Sequence, residues 1–368
     1  MTMNKLRWGI LSTAQIARKN WKAIRLSGNG SVVAVASRDV AKARQFIAEC
    51  QHGEPMDAVP RALGSYEELI AAKDVDAVYI PLPTGLRKEW VLRAAAAGKH
   101  IVCEKPCANS VTDLRAMLDV CRRHGVQFMD GVMFMHSARL TQMRGVLDDG
   151  QSVGDIKRIT SAFSFCAPDE FFAGNIRAHS VLEPFGCLGD LGWYNIRLAL
   201  WAMREQLPRR VTGRILSETG GKNSPAPVPT EFSGELFFDG GASSGFYCSF
   251  LTENEQWAQI SGTRGYLRLP DFVVPYFGNE ATFDINNVAL NISGCDFNME
   301  AHWRKFASPE YSNSHATAQE TNLFRNFTTQ VQSGALNPDW PDLALKTQQV
   351  MEACFESARA GGGAVEVK

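Results

Sequence analysis

From Leu6 to Val132 the chain repeats one pattern: a short apolar run rich in β-branched residues, a turn, then a stretch of helix length. The runs are Leu6 to Leu11, Ser31 to Ala36, Asp76 to Ile80, His100 to Cys103 and Val126 to about Val132. Strands that alternate with helices over about 130 residues predict a doubly wound parallel sheet. The fourth run ends in Glu104-Lys105-Pro106. Pro106 has no N–H to donate and stops the ladder. A carboxylate and an amine are thereby left at the carboxyl end of a buried strand, where open α/β sheets bind ligands.

Three other strand ends carry candidate site residues. After Leu11 comes Ser12-Thr13-Ala14-Gln15-Ile16-Ala17, with a helix running towards Ser27. A dinucleotide site uses G-x-G-x-x-G or A here, so that the turn forms and the backbone approaches a pyrophosphate. Ser12, Ala14 and Ala17 stand at the three glycine places; their small size permits close approach, and the helix N-terminus favours phosphate. Alone, the stretch also fits an ordinary βα turn. The second strand ends in Ser37-Arg38-Asp39, with Lys42 one helical turn on. An acid at this position would take the ribose 2′-OH of NAD, whereas Arg38, with Ser37 as donor and Lys42 adding charge, suits the 2′-phosphate of NADP(H). A solvated Arg–Asp pair is the structural alternative. The third strand runs into Pro81-Leu82-Pro83-Thr84, an exposed loop in which the prolines forbid further pairing. Helices are expected over Ser65 to Ala72, about Leu86 to Ala97 up to Gly98, and with Leu114, Met117, Leu118 and Cys121 on one face.

The pattern changes after His136. Ile156 to Phe165 alternates as a strand with one exposed face would. Asn175-Ile-Arg177 follows, then Gly186-Cys-Leu-Gly-Asp190-Leu-Gly192-Trp-Tyr194, in which a helix begins and brings Asp190 and Tyr194 to one face. Strands are expected at Arg210 to Glu218, Phe232 to Phe238, Ala242 to Phe250, Trp257 to Gly262 and Gly265 to Leu269. Their short connections predict an antiparallel sheet. A Gly/Pro/Ser loop is expected at Thr219 to Thr230. No regular element emerges over Asp271 to His315. Helices close the chain at about Thr317 to Ser333 and Pro341 to Arg359.

The 368 residues suit two domains. A net charge of -1 offers no field for nucleic acid or an anionic membrane. No apolar run spans a bilayer, and Arg18 and Lys19 follow the first apolar stretch too soon for a secretory signal. Nine scattered cysteines, with no C-x-x-C and no zinc spacing, suit reduced thiols in a cytoplasmic enzyme and no metal site.

In their order, Ser12 to Ala17, Ser37-Arg38, Pro81 to Thr84, Glu104-Lys105-Pro106 and Gly189-Asp190-Leu-Gly192-Trp-Tyr194 resemble the glucose–fructose oxidoreductase and inositol dehydrogenase family. The likeness is nearest to its dihydrodiol and D-xylose dehydrogenase branch and covers nearly the whole chain. The resemblance implies an N-terminal Rossmann domain (1–132) and a C-terminal α/β domain with an open, mostly antiparallel sheet (133–340). A last helix (341–368) would pack back towards the first domain. It also implies a homodimer through the C-terminal sheet, where Phe232 to Phe250 run apolar and aromatic. Lys105 matches the lysine near the reacting carbon, Tyr194 a position held by His or Tyr, and Asp190 the nearby carboxylate. Ser12 replaces a usual glycine, Arg87 stands where His is frequent, and Cys187 stands where a small residue is common.

These residues suit hydride transfer between NADP(H), rather than NAD(H), and a CH–OH group of a sugar, polyol or cyclic diol. Tyrosine alone, with a pKa near 10, is a poor base at neutral pH. A nearby lysine ammonium favours the phenolate. Lys105 and Tyr194 would form that pair from two domains, with Asp190 orienting Lys105 or a substrate hydroxyl. Arg177 and His136 are candidate substrate contacts. As structural alternatives, Tyr194 is a core tyrosine, Asp190 a helix cap and His136 a packing residue. A cofactor-binding sensor without turnover, or an enzyme with tightly held NAD doing net lyase or hydrolase chemistry, are the other functional readings.

Overall fold

The structure is a computed structural model that describes residues 5–313 and 315–368. The chain divides into two compact units. The first comprises Met1–His136, Val181–Pro184 and Asn313–Gln348; the second comprises Ser137–Ser180, Phe185–Ser312 and Gln349–Lys368.

In the first unit six strands pair in parallel: β1 (Leu6–Leu11), β2 (Gly30–Ala36), β3 (Arg61–Leu63), β4 (Ala77–Ile80), β5 (His100–Cys103) and β6 (Phe128–Asp130). Their order is β3-β2-β1-β4-β5-β6, the expected doubly wound sheet, with its switch point between β1 and β4. The five helices between them are α1 (Gln15–Ser27), α2 (Val40–Gly53), α3 (Tyr66–Ala71), α4 (Thr84–Ala96) and α5 (Val111–Arg123). Helix α1 buries Ala17, Trp21 and Ile24, a helical stripe, and ends at Gly28, whose φ of 83° only glycine adopts without strain. Ser65 and Ser110 cap α3 and α5 by accepting from the N–H groups of Glu68 and Asp113.

In the second unit the helices are α6 (Arg139–Asp148), α7 (Asp169–Gly174) and α8 (Trp193–Ala202). The strands are β7 (Ile156–Ser164), β8 (Arg210–Thr219), β9 (Val228–Phe237), β10 (Ser243–Ser249), β11 (Ala258–Gly262), β12 (Tyr266–Leu269), β13 (Glu280–Ser293), β14 (Asp296–Pro309) and β15 (Val365–Glu366). Their order is β14-β13-β12-β11-β7-β10-β9-β8-β15, antiparallel except for the parallel pair β7–β10. The buried α8 belongs to this unit; Asn195 on it donates to the Ser161 hydroxyl of β7 at 2.8 Å. A buried Arg139–Asp271 ion pair at 2.6 Å ties α6 to the segment before β13.

One expectation is corrected. Asp271 to His315 is not irregular: it contains the β13–β14 hairpin, two 14-residue strands. The run from Phe232 to Phe250 divides between two faces of its sheet. Phe232, Phe246 and Phe250 are buried, and residues at alternate positions, among them Ser233, Glu235, Gly245 and Tyr247, line a shallow cup with Thr160, Ala162 and Trp257.

Two last helices follow, α9 (Gln319–Gln332) and α10 (Asp339–Arg359). Helix α9 lies in the first unit, where Phe324 and Phe327 pack on Trp8 with both ring centroids at 5.3 Å. Each such fully buried aromatic contributes about 1.5–3 kcal/mol relative to exposure. Among the described residues no helix is long and apolar enough to cross a membrane.

Candidate active site

The first unit gathers the expected cofactor residues at the carboxyl ends of β1, β2, β4 and β5. Ser12 follows β1 with φ of 127°, backbone that favours glycine, and its hydroxyl accepts from the Ala14 N–H at 3.0 Å. The chain therefore keeps the glycine conformation without the glycine. Helix α1 opens at Gln15 and Ile16 with no side-chain cap and no acid in its first turn, so Thr13, Ala14 and the helix N-terminus present positive backbone dipole. This fits a phosphate group. At the end of β2, Ser37 is buried and Arg38 exposed. Asp39, the acid that could have bound a ribose, instead caps α2 by accepting from the Ala41 N–H at 2.9 Å. Arg38 faces the Tyr66 hydroxyl: burial raises the Tyr66 pKa and the guanidinium offsets part of that. Lys42 is exposed on the first turn of α2.

Pro81, Leu82 and Pro83 join β4 to α4, whose first residue is Thr84. The Thr84 N–H donates to Glu183 at 3.0 Å and its hydroxyl to the other carboxylate oxygen at 2.5 Å. Arg87 is buried rather than turned to a ligand. Its Nε donates to the Leu82 carbonyl at 2.7 Å, and its Nη1 to the Thr84 hydroxyl at 2.9 Å and to the Pro106 carbonyl. At the end of β5, the Glu104 carboxylate accepts from the Tyr79 hydroxyl at 2.5 Å, and Asn20 donates to that hydroxyl at 2.5 Å. Lys105 follows, half-buried, with a cis bond to Pro106. His136 is also in this unit; its Nδ1 lies 3.1 Å from the Asn326 amide and its ring meets Trp340 edge-on.

The second unit brings Arg177, Asp190 and Tyr194 into one neighbourhood. Asp190 sits in a π turn, Leu188–Gly192, that leads into α8. Arg177 Nε donates to Asp190 Oδ2 at 2.7 Å. Tyr194 is 7 % exposed and meets Phe163 edge-on at 5.6 Å; Phe163 in turn meets Phe272 at 6.2 Å. Cys187 is fully buried beside Cys248, and burial pushes its thiol well up, so it is inert packing. All nine cysteines are free, and no metal-ligating cluster exists among the described residues.

Sequence reasoning missed Tyr79, Asn20 and Glu183, and noted Arg87 without a role. Their partners lie far along the chain, Glu183 by 99 residues, so no local spacing announces them. The one local signal is Arg87 three residues after Thr84, a helical turn beyond the proline loop.

Residues 6–132 match the oxidoreductase family with an NAD-binding Rossmann fold, and residues 140–268 match the GFO/IDH/MocA C-terminal domain. The chain belongs to the GFO/IDH/MocA oxidoreductase family. D-xylose 1-dehydrogenase (NADP(+)) 2 of Haloferax volcanii is 34% identical, covering 71% of this chain and 75% of its own length. Mouse trans-1,2-dihydrobenzene-1,2-diol dehydrogenase is 31% identical, covering 73% and 76%. Among solved structures, a 3-ketoreductase from Actinomadura kijaniata, crystallised with NADP and TDP-benzene, shares the fold. It has a TM-score of 0.78 and 23% identity, covering 96% of this chain and 98% of that one. The family membership agrees with the resemblance drawn from Glu104-Lys105-Pro106 and Asp190 to Tyr194.

Proposed function

We propose that this oxidoreductase transfers a hydride between NADP(H) and a CH–OH group of a sugar, polyol or cyclic diol. The carrying observation is Lys105 at the carboxyl end of β5, in a doubly wound sheet whose β1–α1 turn keeps a glycine-like backbone at Ser12. The nicotinamide, when bound, supplies the hydride acceptor or donor. The protein's part is the proton. In oxidation, the substrate hydroxyl gives its proton to the Tyr194 phenolate as its carbon loses hydride, leaving a carbonyl. The Lys105 ammonium favours that phenolate. Asp190, paired with Arg177, orients a substrate hydroxyl, and His136 is a further candidate contact. Ser12 to Ile16 and Pro81 to Thr84 would hold the dinucleotide. Ser37, Arg38 and Lys42 would take a 2′-phosphate, a reading supported by the commitment of Asp39 to its helix cap and by the NADP(+) in the name of the Haloferax relative.

The first experiment is a rate screen with NADP+ and then NAD+ across pentoses, hexoses, polyols and dihydrodiols, with Lys105→Ala and Tyr194→Phe as controls. Turnover on one class, lost in both controls while NADP+ still binds, supports the reading. Near-normal turnover in both controls sinks the proton-transfer roles. Firm cofactor binding with no turnover on any compound sinks the dehydrogenase. For the cofactor, Arg38→Ala is expected to raise the KM for NADP+ about ten- to a hundredfold, the worth of a charged hydrogen bond, with NAD+ little affected.

A further inference from the structure

We infer that Tyr79 and Arg87 are positioning residues that hold Lys105 through its two chain neighbours. This rests on the reading that Lys105 serves the proton transfer. Lys105 is the middle of three residues, and a buried side chain grips each neighbour. On one side the Tyr79 hydroxyl donates to Glu104 Oε1 at 2.5 Å and itself accepts from Asn20 of α1. The Glu104 carboxylate lies over Gly131, where a Cβ would come within 3.2 Å of both carboxylate oxygens, so a side chain there would push it off its donor. On the other side Arg87 donates to the Pro106 carbonyl while also holding Leu82 and Thr84. Thr84 is fixed in turn by Glu183.

Neither gripping group has surface to spend on a ligand. Tyr79 is 0% exposed and Arg87 5%. Burial, reinforced by the Glu104 charge, pushes the Tyr79 phenol well above its ordinary range, so it stays a neutral donor. The two grips come from α1, β4 and α4, elements that also form the expected cofactor loops. A lysine between two fixed peptide units has its backbone held in place. Preorganisation of this kind is how a fold keeps a reacting group within reach. If the Tyr79 hydroxyl is removed, the Glu104 carboxylate loses its donor and can turn towards the Lys105 ammonium and favour its charged form.

The test uses the full chain with Tyr79→Phe, Arg87→Lys and Glu104→Gln. Tyr79→Phe keeps the ring that meets Phe324 at 5.7 Å and removes only the hydroxyl. The readout independent of substrate is the pH dependence of Lys105 modification by trinitrobenzenesulfonate, followed by peptide mass spectrometry. In Tyr79→Phe the midpoint is expected to rise, with several-fold slower labelling at pH 8. Glu104→Gln, which removes the competing charge, should abolish that rise when combined with Tyr79→Phe. On the substrate found by the rate screen, Tyr79→Phe and Arg87→Lys should each lower kcat about ten- to a hundredfold, the cost of misplacing a reacting group by about an ångström. The KM for NADP+ should change far less. Unchanged labelling midpoint and kcat in Tyr79→Phe would overturn the inference. So would losses that merely track a fall in melting temperature with no shift of the labelling profile. Normal turnover in Lys105→Ala sinks the underlying reading instead, whatever the two positioning variants do.

Discussion

Arg177 and Asp190 form a 2.7 Å pair in which the carboxylate is the more buried partner, with side-chain exposure of 15% against 41%. The half-exposed guanidinium can meet a substrate while the carboxylate holds it in place. Asp190→Asn keeps the shape and removes the charge. A hydrogen bond between charged groups is worth about 1.5–3 kcal/mol, so kcat/KM is expected to fall about ten- to a hundredfold. Arg177→Ala should cost a similar factor. The double variant should be no worse than the worse single one, because the two act as a unit. Steady-state kinetics on the three variants checks this; independent, multiplying losses would show that the pair has no joint role.

Ser12 pays for its glycine-like backbone. A non-glycine residue at φ of 127° stores about 1–3 kcal/mol, partly offset by the hydrogen bond from the Ala14 N–H, worth about 0.5–1.5 kcal/mol. Ser12→Gly is therefore expected to raise the melting temperature by a few degrees and to bind NADP+ at least as tightly as the native chain. Ser12→Val, a β-branched residue on the same backbone, should destabilise by more than the strain already present. Thermal melts with and without NADP+ decide it. A glycine variant less stable than the native chain would mean that the serine hydroxyl outweighs the strain.

The first unit was largely legible in the sequence because its information is local. Most strands, turns and helices from Leu6 to Asp130 carry their own periodicity and punctuation, the three-residue edge strand Arg61–Leu63 being too short to do so, and Lys105, Ser12 and Arg38 are found by their place at strand ends. Asp190 and Tyr194 were legible only as a motif, since a π turn has no sequence period to announce it. Tyr79 and Arg87 were not legible as supports, because their partners are 25 and 19 residues away. The β13–β14 hairpin was overlooked although its signal is present. Val288, Leu290 and Ile292, then Phe297, Met299, Ala301 and Trp303, alternate strictly on either side of Gly294. What hid them is that the apolar positions of an isolated ribbon face no core, so hydrophobic runs of core length never form.

That hairpin bears on assembly. Directly paired residues put Val288 with Ala301, Leu290 with Met299 and Ile292 with Phe297 on one face, with Asn287, Ala289, Asn291 and Ser293 on the other. Phe297 and Met299 are 69% and 71% exposed. An apolar row of this kind on a sheet-edge ribbon marks an interaction surface. A homodimer through the C-terminal sheet, which the family resemblance implies, would draw on this row rather than on the buried aromatics of β9 and β10. Light scattering is expected to give a dimer for the native chain. A Phe297→Asp, Met299→Asp double variant should be a monomer, with an unchanged far-ultraviolet circular dichroism spectrum. A dimeric double variant would remove the hairpin from the interface, and a monomeric native chain would remove the dimer.

His100 makes the first unit sensitive to mild acid. The Gln127 N–H donates to His100 Nδ1 at 2.9 Å, which requires that nitrogen to be unprotonated, and the next pairing of β5 with β6 is built on the same turn. Burial holds the His100 pKa below its ordinary value near 6.5, and Asp76 offsets part of that. In the unfolded chain the imidazole takes its proton near 6.5. Between that value and the lower folded one, the unfolded state holds more protons, so stability falls as the pH falls. Carboxylates that the fold keeps charged titrate below this window. Asp76 is one: burial works against its charge, but its hydrogen bonds from Arg7 outweigh that and hold its carboxyl low. Urea midpoints should therefore drop between pH 7.5 and 5.5 in the native chain. His100→Asn, whose side-chain carbonyl can accept the Gln127 N–H without titrating, should flatten that drop. An equal fall in both proteins would place the acid sensitivity elsewhere.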